Sequence, residues 1–63
     1  MKGKTFSNKG QNFKVAEIMV ATGIIAEMGW THFAAVKRPN GSKSYYANLV
    51  IVNDEIVHSV VVL

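Results

Sequence analysis

A turn signal in the second half of the chain constrains the fold more than any other sequence feature. The segment Arg38-Pro39-Asn40-Gly41-Ser42 places proline at the second position of a type I turn and glycine in the left-handed position of a bulged hairpin. Residues on both sides alternate with a period of two and are rich in β-branched and aromatic types, which is typical of strands. The segment therefore predicts a β-hairpin, and Asn53-Asp54 predicts a second one.

Three strands follow from these turns, at about residues 31–38, 43–52 and 55–62. The turns pair Arg38 with Ser42 and Val52 with Glu55, which places Lys37 opposite Lys43. This register assigns one face of the sheet to the core, because side chains alternate between faces along a strand. The predicted core face carries Phe33, Ala35, Tyr45, Ala47, Leu49, Ile51, Ile56, His58, Val60 and Val62.

The segment before the strands has the spacing of a helix. Its apolar positions Phe13, Ala16, Val20, Ile24 and Met28 recur at helical intervals, after a possible N-cap at position 12 and before a glycine at position 29. We therefore expect a helix over residues 13–28. Apolar residues on its opposite side, and a glycine at position 23, leave two alternatives open: the helix is covered on both sides, or part of the segment is a strand.

The predicted fold class is α+β, with one helix followed by a three-stranded antiparallel β-meander and packed on one face of that sheet. Residues 1–12 are polar and lysine-rich, and we expect them to form a flexible basic arm before a single domain over residues 13–63. The chain has no cysteine, which excludes disulfides and fits a cytoplasmic protein. So short a domain has a thin core, and self-association would stabilise it. No segment is long and apolar enough to predict a membrane span.

The formal charge of +3 is concentrated in two basic stretches. Lys2, Lys4, Lys9 and Lys14 lie near the N-terminus, and the predicted hairpin carries Lys37, Arg38 and Lys43. A like-charged pair across two strands is unfavourable unless an anion relieves it, so the predicted Lys37–Lys43 pair indicates phosphate.

The first hypothesis is therefore a nucleic-acid-binding protein, for single-stranded or duplex ligands. Its predicted binding residues are Lys37, Arg38 and Lys43, with Tyr46 and His32 as stacking residues on the uncovered sheet face. The alternative function of these lysines is to keep the hairpin tip soluble and to discourage edge pairing.

The second hypothesis is a protein-interaction or inhibitor domain that acts through the open sheet face and forms a homodimer. Exposed apolar side chains on such a face mark an interface. The predicted interface residues are Trp30, Val50, Val57 and Val61.

Catalysis, metals and cofactors are not expected. The four carboxylates, at positions 17, 27, 54 and 55, form no pair suited to acid–base work, and the chain has only two histidines. Neither a nucleophile elbow nor a glycine-rich phosphate or dinucleotide loop is present in the sequence.

The segment Ala21 to Lys37, ATGIIAEMGWTHFAAVK, resembles short uncharacterised proteins of phages and mobile elements. In those proteins a helix is followed by a Leu/Met-Gly step and a strand that opens with an aromatic residue. The resemblance implies a helix, Gly29 and a strand in this order, and a phage-like origin, but no catalytic residues. The segment KRPNGSK departs from that pattern and resembles the three-stranded DNA-reading sheets of phage-type integrases, in which the helix follows the sheet.

Overall fold

The structure, a computed structural model that describes residues 1–62, is nearly all-β. Its elements are β1 (Thr5–Asn8), β2 (Gln11–Val20), α1 (Gly23–Glu27), β3 (His32–Lys37), β4 (Ser44–Val52) and β5 (Glu55–Val62). The five strands form one antiparallel sheet in the order β1-β2-β3-β4-β5. The sheet curls until β1 approaches β5, so that it is nearly closed into a barrel.

The predicted fold of a helix on a three-stranded meander is wrong, because half of the segment 13–28, residues 13–20, belongs to strand β2 and helix α1 is only five residues long. Phe13 and Val15 are buried while Lys14 between them is exposed, as in a strand with one face on the core. A β-bulge shifts the register between Val15 and Glu17, so that Ile18 also packs against the core. The bulge interrupts the period of two, and the resulting apolar spacing imitates that of a helix.

Residues 5–8 of the expected flexible arm form strand β1. Thr5 pairs with Lys14 and Asn8 with Gln11. The two turn residues between the strands, Lys9 and Gly10, both have positive φ, 51° and 77°. Two central residues in the left-handed region give a tight hairpin whose twist matches its strands.

The core lies inside the barrel rather than between a helix and a sheet. Its buried members are Phe13, Val15, Ala34, Val36, Ala47, Leu49 and Val61. Phe6 stacks on Phe13 with ring centroids 5.9 Å apart, and Tyr45 meets Phe13 edge-on at 5.9 Å. Helix α1 has no buried residue, so it covers no face of the sheet.

The predicted register of β3 on β4 is wrong by one residue, because Lys37 pairs with Ser44 and not with Lys43. The connection is longer than a bulged hairpin turn, and Gly41, which has no positive φ, donates its N–H to the Arg38 carbonyl at 3.0 Å. A one-residue shift reverses every side chain of one strand. Ala34 and Val36 therefore face the core, and Phe33 and Ala35 face outward.

The predicted core face is correct along β4 but only partly along β5. Ala47 and Leu49 are fully buried, and Ile51 pairs with Ile56 as expected. A second bulge, between Val50 and Ile51, then shifts the register. Beyond it Val61 faces the core, whereas the predicted core residues are exposed: His58, Val60 and Val62.

Side chains rather than a backbone ladder join β1 to β5. The amide of Asn8 donates to the Ser59 carbonyl at 2.9 Å and to Ser59 Oγ at 3.2 Å. At the other end of the contact between β1 and β5, which we call the seam, Lys4 Nζ donates to the Asp54 carbonyl at 2.8 Å. Because the meander has an odd number of strands, β1 and β5 run parallel, with a groove of about 530 Å³ between them.

Candidate nucleic-acid interface

Two lysines face each other on the outside of the barrel. Lys14 of β2 pairs directly with Lys37 of β3. Their side chains lie on the outer face, since their strand neighbours Phe13, Val15 and Val36 are buried. The expected Lys37–Lys43 pair does not form, and Lys37 instead faces Lys14, which was not predicted.

This lysine pair lines a groove of about 420 Å³, which we call the basic groove. Its charged residues are Lys2, Lys14, Lys37, Arg38 and Glu17. It lies over the bulge in β2, where the strand bends and the ladder is locally disrupted. The two basic stretches that are separate in sequence thus meet at one surface.

Glu17 offsets only one cation of the basic groove. Lys2 Nζ lies 3.3 Å from Glu17 Oε1, and both side chains are about 70% exposed. Such an exposed pair contributes little to stability. Lys14, Lys37 and Arg38 form no ion pair with any residue in the range 1–62. The groove therefore keeps an excess of positive charge that an anionic ligand can neutralise.

An aromatic pair lies beside the basic groove on the same outer face. Phe33 and Tyr46 stack with centroids 5.4 Å apart and ring planes 16° apart, and Tyr46 is 60% exposed. On β3 the outward positions run from Lys37 through the small Ala35 to Phe33, at roughly 7 Å per step. Ala35 pairs with Tyr46 of β4 and with Glu17 of β2. Because alanine is small, no bulky side chain of β3 separates the aromatic pair from the basic groove.

Two of the three predicted hairpin cations line the basic groove, and the third lies only beside the Tyr45 ring. Arg38 lines the basic groove and also lies over the Tyr45 ring, with its guanidinium carbon 5.9 Å from the centroid. Lys43 Nζ lies 5.3 Å from the same centroid and does not line the groove. Only Lys37 and Arg38 of the predicted three thus meet at this site.

His32, the second predicted stacking residue, does not lie beside Tyr46. It pairs with the buried Leu49, so it is on the inner side of the sheet near the end opposite the basic hairpin. Its Nδ1 lies 2.8 Å from Thr31 Oγ1. Leu49 separates His32 of β3 from Ser59 of β5 in this cross-strand row.

Sequence reasoning missed Lys14 and Phe33, which complete the site. The predicted helix over residues 13–28 included Lys14, and the predicted register placed Phe33 on the core face. The sequence signal for Lys14 is its position between Phe13 and Val15, an alternation that fits a half-buried strand.

The predicted interface residues are dispersed over the barrel. Val61 is only 9% exposed and belongs to the core, whereas Val57 is exposed and Val50 is half-buried. Trp30 is half-buried and stacks on His58, with centroids 5.2 Å apart and planes 4° apart.

Four exposed apolar side chains lie at the end of β2 and on α1 and its C-cap, and we call this set the apolar crown. Its members are Met19, Val20, Ile24 and Met28, each at least 60% exposed.

No protein-family model matches this sequence, no curated protein is significantly similar to it, and no solved structure is significantly similar to its fold. The resemblance to phage proteins stays a prediction. Within residues 1–62 no three side chains are placed to hold a metal ion, and no helix there is long and apolar enough to cross a membrane. The function is therefore inferred from the chain's own residues and their positions.

Proposed function

We propose that this protein binds single-stranded nucleic acid on the outer face of β2, β3 and β4. The observation that supports the proposal best is the Lys14–Lys37 cross-strand pair, which lies in the basic groove next to the stacked rings of Phe33 and Tyr46. Cations beside exposed aromatic rings are the recurrent arrangement of single-strand binders.

The cations suit a phosphate backbone. Like charges directly across two strands destabilise the sheet, and a phosphate between them adds two attractive interactions that outweigh the repulsion. Arg38 adds a planar donor at the end of the same groove, and arginine can bond two phosphate oxygens at once.

The aromatic pair favours a single strand over a duplex. A base must leave its stack before it can lie on the Tyr46 ring, and single strands offer such bases at little cost. Stacking on an aromatic ring is nearly independent of base identity, so we expect weak sequence preference.

A titration with labelled oligo(dT) of twelve nucleotides tests this proposal. We expect binding at 50 mM salt that weakens at 200 mM, and a further loss in the double variant Lys14→Gln with Lys37→Gln. Lys9→Gln is the matched control, because it removes one charge from the β1–β2 turn, outside the basic groove. Absence of binding at 50 mM salt, or an equal loss in the control and in each single variant, would refute the proposal.

The apolar crown supports a second function, self-association with another copy of this chain. Ile24 is 72% exposed and belongs to helix α1, which has no fully buried residue. Pairing two crowns would remove these side chains from water. We expect a dimeric mass by light scattering that Ile24→Asp converts to a monomeric one; a monomeric mass for the unmodified protein would exclude this function.

A further inference from the structure

We infer that the Trp30–His58 stack is a second base platform on the same bound strand. This inference rests on the proposed function and extends it from a single contact point to a path across the outer face. Its starting observation is that two of the stacked aromatic pairs, Phe33–Tyr46 and Trp30–His58, have an exposed member, whereas the Phe6–Phe13 pair does not.

The register connects the two aromatic pairs along one strand. His58 pairs with Val50, which lies four residues after Tyr46 on β4 and on the same side of the sheet. At about 3.3 Å per residue, the two platforms are roughly 13 Å apart. The basic groove lies beyond Tyr46, at the other end of this line.

The Trp30–His58 pair has the form of a stacking surface. Its rings are within 4° of parallel, and His58 is exposed on the barrel exterior. The indole and imidazole rings therefore form a flat layered surface that a base can extend by one more layer.

Asn48 lies between the two platforms on β4. Its side chain shares the outer row with Phe33 and Val60. Its Oδ1 atom is buried and has no hydrogen-bond partner within the described chain. A buried acceptor without a partner is unfavourable, and rotation of the carboxamide toward a bound base would give it a donor.

The separation sets the length of the ligand. A stacked strand advances about 3.4 Å per nucleotide, so 13 Å corresponds to about four nucleotides, and to fewer when the strand is stretched. An oligonucleotide of four is too short to cover both platforms and the basic groove. One of twelve covers all three.

Trp30 provides a direct readout, because it is the only tryptophan of the chain. We expect the twelve-nucleotide oligo(dT) to change Trp30 fluorescence on binding. The exposed position of His58 makes His58→Ala safer for the fold than truncation of Trp30, and circular dichroism checks this. His58→Ala should lower the dT12 affinity at least about fivefold, the weakest effect expected for loss of one stacked base.

Val57→Ala serves as the matched control, because Val57 is an exposed neighbour of His58 that belongs to neither aromatic pair. It should leave dT12 affinity unchanged. Binding of dT12 without a change in Trp30 fluorescence, and with an unchanged dT12 affinity in His58→Ala, would reject the second platform and leave the proposed function standing. Failure of dT12 to bind at low salt would reject both.

Discussion

Replacing Lys37 by glutamine should weaken nucleic-acid binding and stabilise the fold, two effects of opposite direction from one charge. Three groove cations, Lys14, Lys37 and Arg38, lack an ion-pair partner within residues 1–62. With about 0.7 log units of affinity per log unit of salt for each phosphate contact on a single strand, the unmodified protein should lose about 18-fold in affinity between 50 and 200 mM salt. Lys37→Gln leaves two contacts, and the loss should fall to about 7-fold.

The same substitution removes the repulsion between Lys37 and Lys14, which face each other directly. Cross-strand charge pairs contribute about 0.2–1 kcal/mol. A gain of about 0.5 kcal/mol should raise Tm by about 2–4 °C in a domain of this size. Fluorescence anisotropy with labelled dT12 at several salt concentrations gives the slope, and thermal melts followed by circular dichroism give Tm.

Two results would refute this account of Lys37. The first is an unchanged salt slope in Lys37→Gln, since the lysine would then contact no phosphate. The second is an equal change in Lys9→Gln, because that variant has the same net charge and keeps the basic groove intact.

Three further substitutions examine the aromatic pair, the core and the seam. Tyr46→Ala should lower dT12 affinity by about 1–3 kcal/mol while leaving the salt slope unchanged, because it removes a stacking surface and no charge; a changed slope in anisotropy titrations would contradict this. Phe13→Ala removes a side chain that is 1% exposed and should cost about 3–5 kcal/mol by urea unfolding, whereas a loss below about 1 kcal/mol would place the core elsewhere. Asn8→Ala removes the donor to both Ser59 oxygens and should speed hydrogen exchange in β1 more than in β3; uniform exchange rates would show that the seam does not open independently.

The strands of the second half were predictable because their signals are local. The alternation along residues 44–52 and the Asn53-Asp54 turn identify β4, β5 and their hairpin, and the buried face of β4 follows from them. Asn53 and Asp54 both have positive φ, 51° and 62°, as a two-residue turn with matching twist requires.

Strand β2 could not be predicted from the spacing of apolar residues, because its β-bulge interrupts the period of two that identifies a strand. With the extra residue at Ala16, apolar positions 13, 15 and 18 on one face of β2 no longer recur every two residues. Helical spacing then fits nearly as well, and only pairing with β1 and β3 decides between them. Such long-range pairing is invisible in a local pattern.

The positive charge of the site could be predicted from the sequence, but the full set of residues that form it could not. Lys37 and Arg38 were identified because they are adjacent in one loop, but the partner lysine comes from a strand more than twenty residues away. Phe33 was lost through the one-residue error in register, which moved its ring from the outer face to the core. Which side chains become neighbours on the sheet depends on the register of each strand pair. Each error in one register therefore misplaces a different residue of the site.

The strand order also has a consequence for how quickly the chain finds its fold. Each backbone ladder of the sheet joins strands that are neighbours in sequence, and the seam between β1 and β5 is the contact between the ends of the chain. Mostly local pairing lowers the entropy lost before contacts form, which favours rapid folding for an all-β topology. The strands can therefore pair one after another along the chain, and we expect the Asn8–Ser59 hydrogen bonds, which join the two most distant strands, to form last.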